Sequence, residues 1–507
     1  MGTRPIWGWD VGRNPTVPSA AGGGIGLVID GEVVSGEAGS YPVINPVRPA
    51  EVVLDGPSAS LAQVDRAVAA ARRAAPAWAA KSPAERAELV AKASAAAGAV
   101  VGSSDLARLL TREHGKVLWE AQFDAGTIGG MAGAFAPLVA EALEPRTLKG
   151  GGGRRTSVEY VPYGVVACVL PFNWPVSVLG NKILPALLTG NTVVVKAPPT
   201  CPGAVLAVTA ALAEALPPGV VNAVNGPGPE LGQALVSHPD VDMVSFTGGI
   251  PTGRAVMAGA SAALTPVVLE LGGNDPALIA PDVEIDEALA AKIIEAAFIT
   301  SGQVCMAIKR LYVPQEKVSL MVEALVARVG QEIVGDGLAD GVTMGPVHRP
   351  AARDRVEAML GEAEAAGARV HRPGRVRDED ARAGGYLVSP AIVEGATDDA
   401  SIVCDEQFAP ALPVLGYRRI DEALERANDS AFGLCASIWT ADDALADEMV
   451  GRLQAGTVFV NAHGTSAMDH RAPFGGWKQS GYGVELGPEG MRAFTHPRTV
   501  LRFPAPS

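Results

Sequence analysis

Between residues 162 and 272, short apolar runs alternate with longer stretches of helical period. The runs at 165–170, 192–196, 220–224 and 241–246 have the length of strands and little internal polarity, as parallel strands covered on both faces do. Helices are expected over 176–189, over 202–215, after the turn at 226–229, and from about Pro251. A further apolar run ends on Glu270, just before Gly272 and Gly273. This alternation predicts a parallel sheet wound with helices. Such sheets bind ligands at the carboxyl ends of their strands. Residues 171–175, Lys196, 226–229, Gly248, Gly249 and Glu270 all fall at those ends.

Upstream the pattern differs. Residues 27–34 predict a hairpin around Asp30-Gly31. Ser60-Leu-Ala-Gln63 and Ser82-Pro-Ala-Glu85 are capping-box patterns, the second with proline at the first helical position. Ala-rich helical stretches run from there to about residue 142, and Gly150-Gly-Gly-Gly153 is a flexible break. Residues 154–161 alternate like an exposed or pairing strand. A second α/β segment begins near Asp275, with strand-like runs at 310–313, 387–388, 413–416 and 458–461. A polar loop at 463–471 follows, and the chain ends in a strand at 499–503. Residues 1–24 lack periodicity and read as an extended or mobile arm. Gly22-Gly-Gly-Ile-Gly26 precedes a strand, whereas a phosphate-binding turn follows one, so it is not read as a dinucleotide fingerprint.

A chain of 507 residues implies two or three domains. Its hydrophobic share of 48% against 19% charged residues suits a soluble globular protein. A net charge of −14 argues against nucleic acid as a partner, because a phosphate-binding surface needs clustered cations. We see no run of about 18 apolar residues and expect no membrane partner. The start has no signal-peptide core, and Ile6 stands where a myristoylation signal wants Ser or Thr. The expected location is cytoplasmic. The five cysteines, Cys168, Cys201, Cys305, Cys404 and Cys435, are scattered and lack CxxC spacing, which reads as reduced thiols and no metal site.

Four residues stand out chemically. Cys305 follows Thr300-Ser-Gly-Gln-Val304, small and polar surroundings that leave room for a carbonyl and for backbone N–H groups. It reads either as a small buried hydrophobe or as a nucleophile. Glu270 is either one half of an ion pair or a general base whose pKa is raised by burial. Asn173, between two prolines and two aromatic residues, is a turn residue or a side-chain donor to an oxyanion. Lys196 ends a buried strand, where it snorkels or bonds a ligand hydroxyl.

These residues lie in an ordered series: Pro171-Phe-Asn-Trp-Pro175, Val194-Val-Lys-Ala-Pro198, Phe246-Thr-Gly-Gly249, Leu269-Glu-Leu-Gly-Gly-Asn-Asp-Pro276, Gly302-Gln-Val-Cys305, Asp405-Glu-Gln-Phe-Ala-Pro410 and Pro473-Phe-Gly-Gly-Trp-Lys-Gln-Ser-Gly481. The series closely resembles the aldehyde dehydrogenase superfamily, from about residue 27 to 503. The resemblance implies an α/β fold with a Rossmann-like parallel-sheet cofactor domain at 25–143 and 162–272. It also implies an α/β catalytic domain at 273–480 and a small β oligomerisation element at 144–161 and 481–507. It further implies oxidation of an aldehyde to the acid with NAD or NADP.

By the same resemblance Cys305 is the nucleophile and Glu270 the general base. Asn173 with the Cys305 N–H forms the oxyanion hole, and Lys182 and Glu485 support a proton route. The cofactor falls to Val169, Leu170, Pro171, Phe172, Lys196, Gly228, Phe246, Gly249, Leu271, Glu406 and Phe408. The substrate pocket falls to Trp174, Val178, Asn181, Val304, Met306 and Phe474, beside the 463–471 loop, whose His463, Asp469, His470 and Arg471 hint at a polar or anionic substrate. Glu270 favours hydrolysis of a thioester over transfer to coenzyme A, the alternative activity; a scaffold that only binds cofactor is a third reading.

Three positions depart from the family pattern. Pro199 stands where many NAD-preferring members carry Glu, which leaves NADP open. Phe172 and Trp174 flank Asn173 where Trp usually precedes it, and Ala409 replaces a usual Gly. The alternating strands at 154–161 and 499–503 would be unprotected sheet edges in a monomer, which predicts a homodimer or homotetramer.

Overall fold

The structure, a computed structural model, describes residues 25–103, 105–148, 154–377 and 384–504. The arm at 1–24 and the glycine run at 150–153 lie outside the described residues. Two large sheets dominate. The first has eight strands, and its centre is five parallel ones: Val165–Val169, Thr192–Lys196, Val221–Val224, Met243–Thr247 and Val267–Glu270. Across the sheet they run third, second, first, fourth, fifth in chain order. Strand order therefore reverses between Val165–Val169 and Met243–Thr247, and a crevice opens at the carboxyl ends beside that switch point. Val166, Val193, Val194 and Val195 are fully buried, which is why these strands read as continuous apolar runs.

The edges are antiparallel. Leu27–Ile29 and Glu32–Val34 form the expected hairpin, with Asp30 and Gly31 both at positive φ as a tight two-residue turn requires. At the other edge Gly481–Tyr482 pairs with Val267–Glu270. Helix Leu61–Ala79 starts with the expected capping box, Ser60 with Gln63, and packs over this sheet.

The second sheet has seven strands. Six are parallel, in the spatial order Ala391–Glu394, Ala411–Tyr417, Ile308–Pro314, Asp275–Ile279, Cys435–Trp439 and Thr457–Val460; Arg369–His371 adds antiparallel at one end. The strand expected at 387–388 is instead Ala391–Glu394. Leu387 and Val388 are buried outside the ladder, and Pro390, which lacks an N–H, delays pairing until Ala391.

Only four residues separate Glu270, last of its strand in the first sheet, from Asp275, first of its strand in the second. The carboxyl ends of one sheet thus face the amino ends of the other. A third sheet is antiparallel: Thr495–Arg502, Arg155–Pro162 and Arg146–Leu148.

By length and mean composition alone Leu118–Leu143 would suffice to cross a membrane, but Glu120, Asp124 and Glu141 interrupt it, so it holds no run of 18 apolar residues. It comprises two helices, Leu118–Gly126 and Ile128–Leu143. The second is rich in Gly and Ala because it crosses helix Pro83–Ser103 closely: a Cβ on Gly98 would lie 2.8 Å from the Cα of Gly129. Its Ile128, Phe135 and Val139 are core residues.

Candidate active site

Helix Glu287–Phe298 ends in a turn with three successive residues in the left-handed region, Thr300 (φ 53°), Ser301 (φ 55°) and Gly302 (φ 71°). Two non-glycine residues there cost roughly 1–2 kcal/mol each. A Cβ on Gly302 would collide with the carbonyl oxygen of Ala409, so glycine is required. The turn delivers Cys305 to the amino end of strand Ile308–Pro314, whose first residue pairs with Asp275. Cys305 is partly exposed, whereas Val304 and Met306 are buried. Lys309, unreadable from sequence, donates to the carbonyls of Val304 (2.8 Å) and Cys305 (2.7 Å) and sits 3.4 Å from Glu406.

Glu270 faces the thiol. Burial, and then the charge of Glu485, push its pKa up to about 8. Burial and the Glu270 carboxylate raise the Cys305 thiol well above its ordinary value, with Lys309 opposing. Among the described residues Glu270 Oε1 has no hydrogen-bond partner and no cation pairs with the carboxyl, which goes against the reading as half of an ion pair. Asn173 is buried and donates one Nδ2 hydrogen to the carbonyl of Gln303 (2.9 Å), two residues before the thiol. Among the described residues its second Nδ2 hydrogen and the Cys305 N–H have no acceptor.

Behind Glu270 lies a buried group. Lys182 pairs with Glu485 and donates to Ser245 Oγ (3.1 Å), and Ser245 Oγ donates to Glu485 (3.3 Å). Glu485 is fixed by paired backbone bonds with Phe474, each 2.7 Å.

On the cofactor side, Val169, Leu170, Pro171 and Phe172 leave the switch-point strand together, and the Leu170 N–H donates to the Lys196 carbonyl (3.2 Å). Among the described residues the Lys196 amine reaches only the carbonyls of Ala197 (3.0 Å) and Gly226 (3.3 Å). No carboxylate pairs with it among the described residues, and burial together with the charge of Arg349 lowers its pKa to about 8. Gly249 caps helix Ile250–Ser261 without a side chain, beside buried Phe246, and leaves the first N–H groups of the helix open. Leu271 is buried and donates its N–H to Ser480 (2.9 Å). Glu406 accepts from the Gly273 N–H (3.1 Å), a Cβ on Gly272 would collide with it, and burial raises its pKa. Phe408 meets Phe172 edge-on, with ring centroids 6.0 Å apart. Gly228 lies apart from these contacts, in a left-handed turn (φ 82°) before helix Glu230–Val236.

On the substrate side, Trp174, Val178 and Asn181 lie along one face of helix Pro175–Leu188. Trp174, Val178, Val304, Met306 and Phe474 pack in one cluster with Cys305, joined by Met468 of the 463–471 loop and by Ile299, which sequence reasoning missed. The indole N–H of Trp174 and the Asn181 Oδ1 are buried without partners. The charges of the polar loop are spent internally. Asp469 pairs with Arg471 at 2.6 Å, and His463 is buried against the Met306 carbonyl (3.0 Å).

The Aldehyde dehydrogenase family profile matches residues 33–500. The chain belongs to the aldehyde dehydrogenase family. It is an NAD(P)-dependent oxidoreductase. A betaine aldehyde dehydrogenase of Rhizobium leguminosarum bv. trifolii is 35% identical over 479 residues, 93% of this chain and 96% of the relative. A 3,6-anhydro-alpha-L-galactose dehydrogenase of Streptomyces coelicolor is 34% identical over 91% of this chain and 93% of its own. The crystal structure of a betaine aldehyde dehydrogenase from Staphylococcus aureus in complex with NAD+ superposes with a TM-score of 0.88 at 31% identity, covering 95% of this chain and 96% of that one. The aldehyde dehydrogenase motifs of this chain thus sit on the expected α/β architecture, with parallel sheets.

Proposed function

We propose that the chain oxidises an aldehyde to its carboxylic acid through a thioester on Cys305, hydrolysed by water that Glu270 activates. The observation that carries this reading is the buried Glu270 carboxyl set against a thiol whose own pKa is high. Such a thiol needs a base, and such a carboxylate is one. Glu270 takes the thiol proton, and Sγ bonds to the carbonyl carbon. The resulting alkoxide lies between the two unspent donors, the Cys305 N–H and Asn173 Nδ2. The nicotinamide cofactor, when bound, supplies a hydride acceptor. After oxidation, Glu270 deprotonates water; hydroxide adds to the thioester carbon and Sγ leaves as the acid forms. Before Glu270 acts on water it passes the thiol proton outward through the buried relay of Lys182, Ser245 and Glu485; the proton it then takes from water goes back to Sγ as the thiolate leaves.

The chain's residues fit a dinucleotide. Lys196 has a hydrogen to spare for a ribose hydroxyl, the open start of helix Ile250–Ser261 suits a pyrophosphate, and Glu406, held by the Gly273 N–H, would take a second ribose. Gly228, Leu271 and Phe408 complete that assignment. Residues 25–143 and 162–272 form its cofactor domain, and 273–480 the catalytic one.

Trp174, Val178, Asn181, Val304, Met306 and Phe474 wall the aldehyde pocket. The walls carry no uncompensated charge, and Lys116 already lies 4.0 Å over the Trp174 ring, which favours an uncharged aldehyde. Oxidation of a panel from betaine aldehyde through hydroxylated to plain aliphatic aldehydes, followed by reduced-nicotinamide absorbance with NAD and with NADP, tests the activity. No turnover across the panel, or turnover only with coenzyme A, overturns it. The exposed Leu148, Leu501 and Phe503 at the third sheet support a homodimer or homotetramer; a monomer by light scattering at micromolar concentration contradicts this.

A further inference from the structure

The left-handed turn at 300–302 is held from far away in the chain. Glu120, on helix Leu118–Gly126, is buried and accepts the Thr300 N–H at 2.6 Å through Oε1. Its Oε2 accepts the Val117 N–H at 3.2 Å. One helical turn on, Asp124 accepts the Ser177 N–H (2.8 Å) at the start of the helix that follows Asn173 and Trp174. Asp124 also pairs with buried Lys116 at 2.9 Å. One short helix therefore grips both the segment carrying the oxyanion donor and the turn carrying the thiol. The rest of the turn is tied by Ser301 Oγ to the Gly345 carbonyl (2.9 Å) and by the His348 N–H to Gln303 Oε1 (2.8 Å). Glu120 takes the N–H of Thr300, the first strained residue, while the Thr300 carbonyl accepts from the Gln303 N–H and Nε2 (both 3.1 Å); among the described residues the Thr300 hydroxyl has no partner of its own.

We propose that Glu120 is a positioning residue for Cys305: its carboxylate fixes the left-handed turn that carries the thiol to Glu270. The catalytic consequence rests on Cys305 being the nucleophile; the geometric claim does not. A carboxylate on a shorter stem cannot span the contact, whereas an amide of equal length keeps an acceptor for the Thr300 N–H. Glycine adopts positive φ without strain, so at 300 it removes the need for the clamp.

The test follows iodoacetamide alkylation of Cys305 by mass spectrometry, with kcat and KM alongside. Glu120→Asp keeps the buried charge near Lys116 and should slow alkylation at least fivefold and kcat at least tenfold, with the KM for NAD changed less than twofold. Glu120→Gln should alkylate within twofold of wild type. Adding Thr300→Gly to Glu120→Asp should restore the alkylation rate, which a role in helix capping alone would not produce. Wild-type alkylation in Glu120→Asp overturns the proposal, as does slow alkylation that Thr300→Gly leaves unchanged. Should Glu120→Asp not fold, slow alkylation in Glu120→Gln overturns it independently. Failure of the reading of Cys305 itself shows differently, as turnover retained in Cys305→Ala.

Discussion

The two large sheets share a parallel architecture but present opposite ends to the crevice between them. The first offers the carboxyl ends of its strands: short turns, open glycines and Lys196, each within a few residues of the strand that positions it. The second offers amino ends, where the proposed nucleophile has no strand end to stand on. The turn before Cys305 is held from distant segments: Asn173 donates to the Gln303 carbonyl, Glu120 accepts the Thr300 N–H, and the His348 N–H donates to the Gln303 side chain. The first sheet carries Lys196 and the open glycines together with Glu270 and Asn173, and the second carries the thiol. The difference predicts that the two halves separate under mutation.

The largest separation comes at the thiol. Cys305→Ala should lower kcat roughly 10⁴-fold or more while fluorescence titration gives an unchanged Kd for the cofactor. A parallel loss of cofactor affinity would mean that the halves are not independent.

The next comes at the base. Glu270→Gln should cost about 10² to 10⁴-fold in kcat, with the acyl-enzyme on Cys305 accumulating in a mass spectrum of the quenched reaction. In the wild type, a carboxyl raised to about 8 is mostly neutral at pH 7. Turnover limited by hydrolysis should therefore rise with pH through about 8 and level off above it. The negative charge of Glu485 is the second cause of that rise, after burial. Glu485→Gln removes it and leaves the Lys182 charge, so the midpoint of the pH profile should move down; an upward move would refute the relay's electrostatics.

This division also explains what could be read in advance. The five central strands of the first sheet, the hairpin at Asp30-Gly31 and the Ser60 capping box are local patterns, and each appears within a residue or two of its expected place. Cys305, Glu270 and Asn173 were legible as chemistry because each sits at an element's end among small or apolar neighbours. Their supports were not. Glu120 lies in an apolar, helix-forming stretch, and nothing around it marks a partner 180 residues away. Lys309 reads as a strand residue until its amine is seen folded back on the Val304 and Cys305 carbonyls. The strand at 387–388 failed for a local reason that was visible, Pro390.

A smaller effect is expected at Lys196, in the binding half. Lys196→Met should raise the KM for the cofactor about 10- to 100-fold, from a charged hydrogen bond of about 1.5–3 kcal/mol, and change kcat less than threefold by steady-state kinetics. A fall in kcat as large as the rise in KM would place Lys196 in the reacting half.

The smallest effect is one of discrimination. Pro199 offers no carboxylate to the ribose, and its carbonyl is engaged by the Tyr41 hydroxyl at 2.7 Å. Lys196 feels the positive charge of Arg349, which lies 5.5 Å over the Phe172 ring and has no carboxylate partner among the described residues. Two cations without a counter-charge tolerate a 2′-phosphate, so kcat/KM with NADP should fall within about tenfold of that with NAD. Pro199→Glu introduces repulsion and should lower the NADP-to-NAD ratio about tenfold, mostly through the KM for NADP. The Lys196 amine has its pKa lowered to about 8, so it is charged below that pH and neutral above. The KM for NADP should accordingly climb as pH rises through 8, and more steeply than the KM for NAD. Equal slopes for the two cofactors would show that the 2′-phosphate does not sit against Lys196, and the binding half would then discriminate by shape and not by charge.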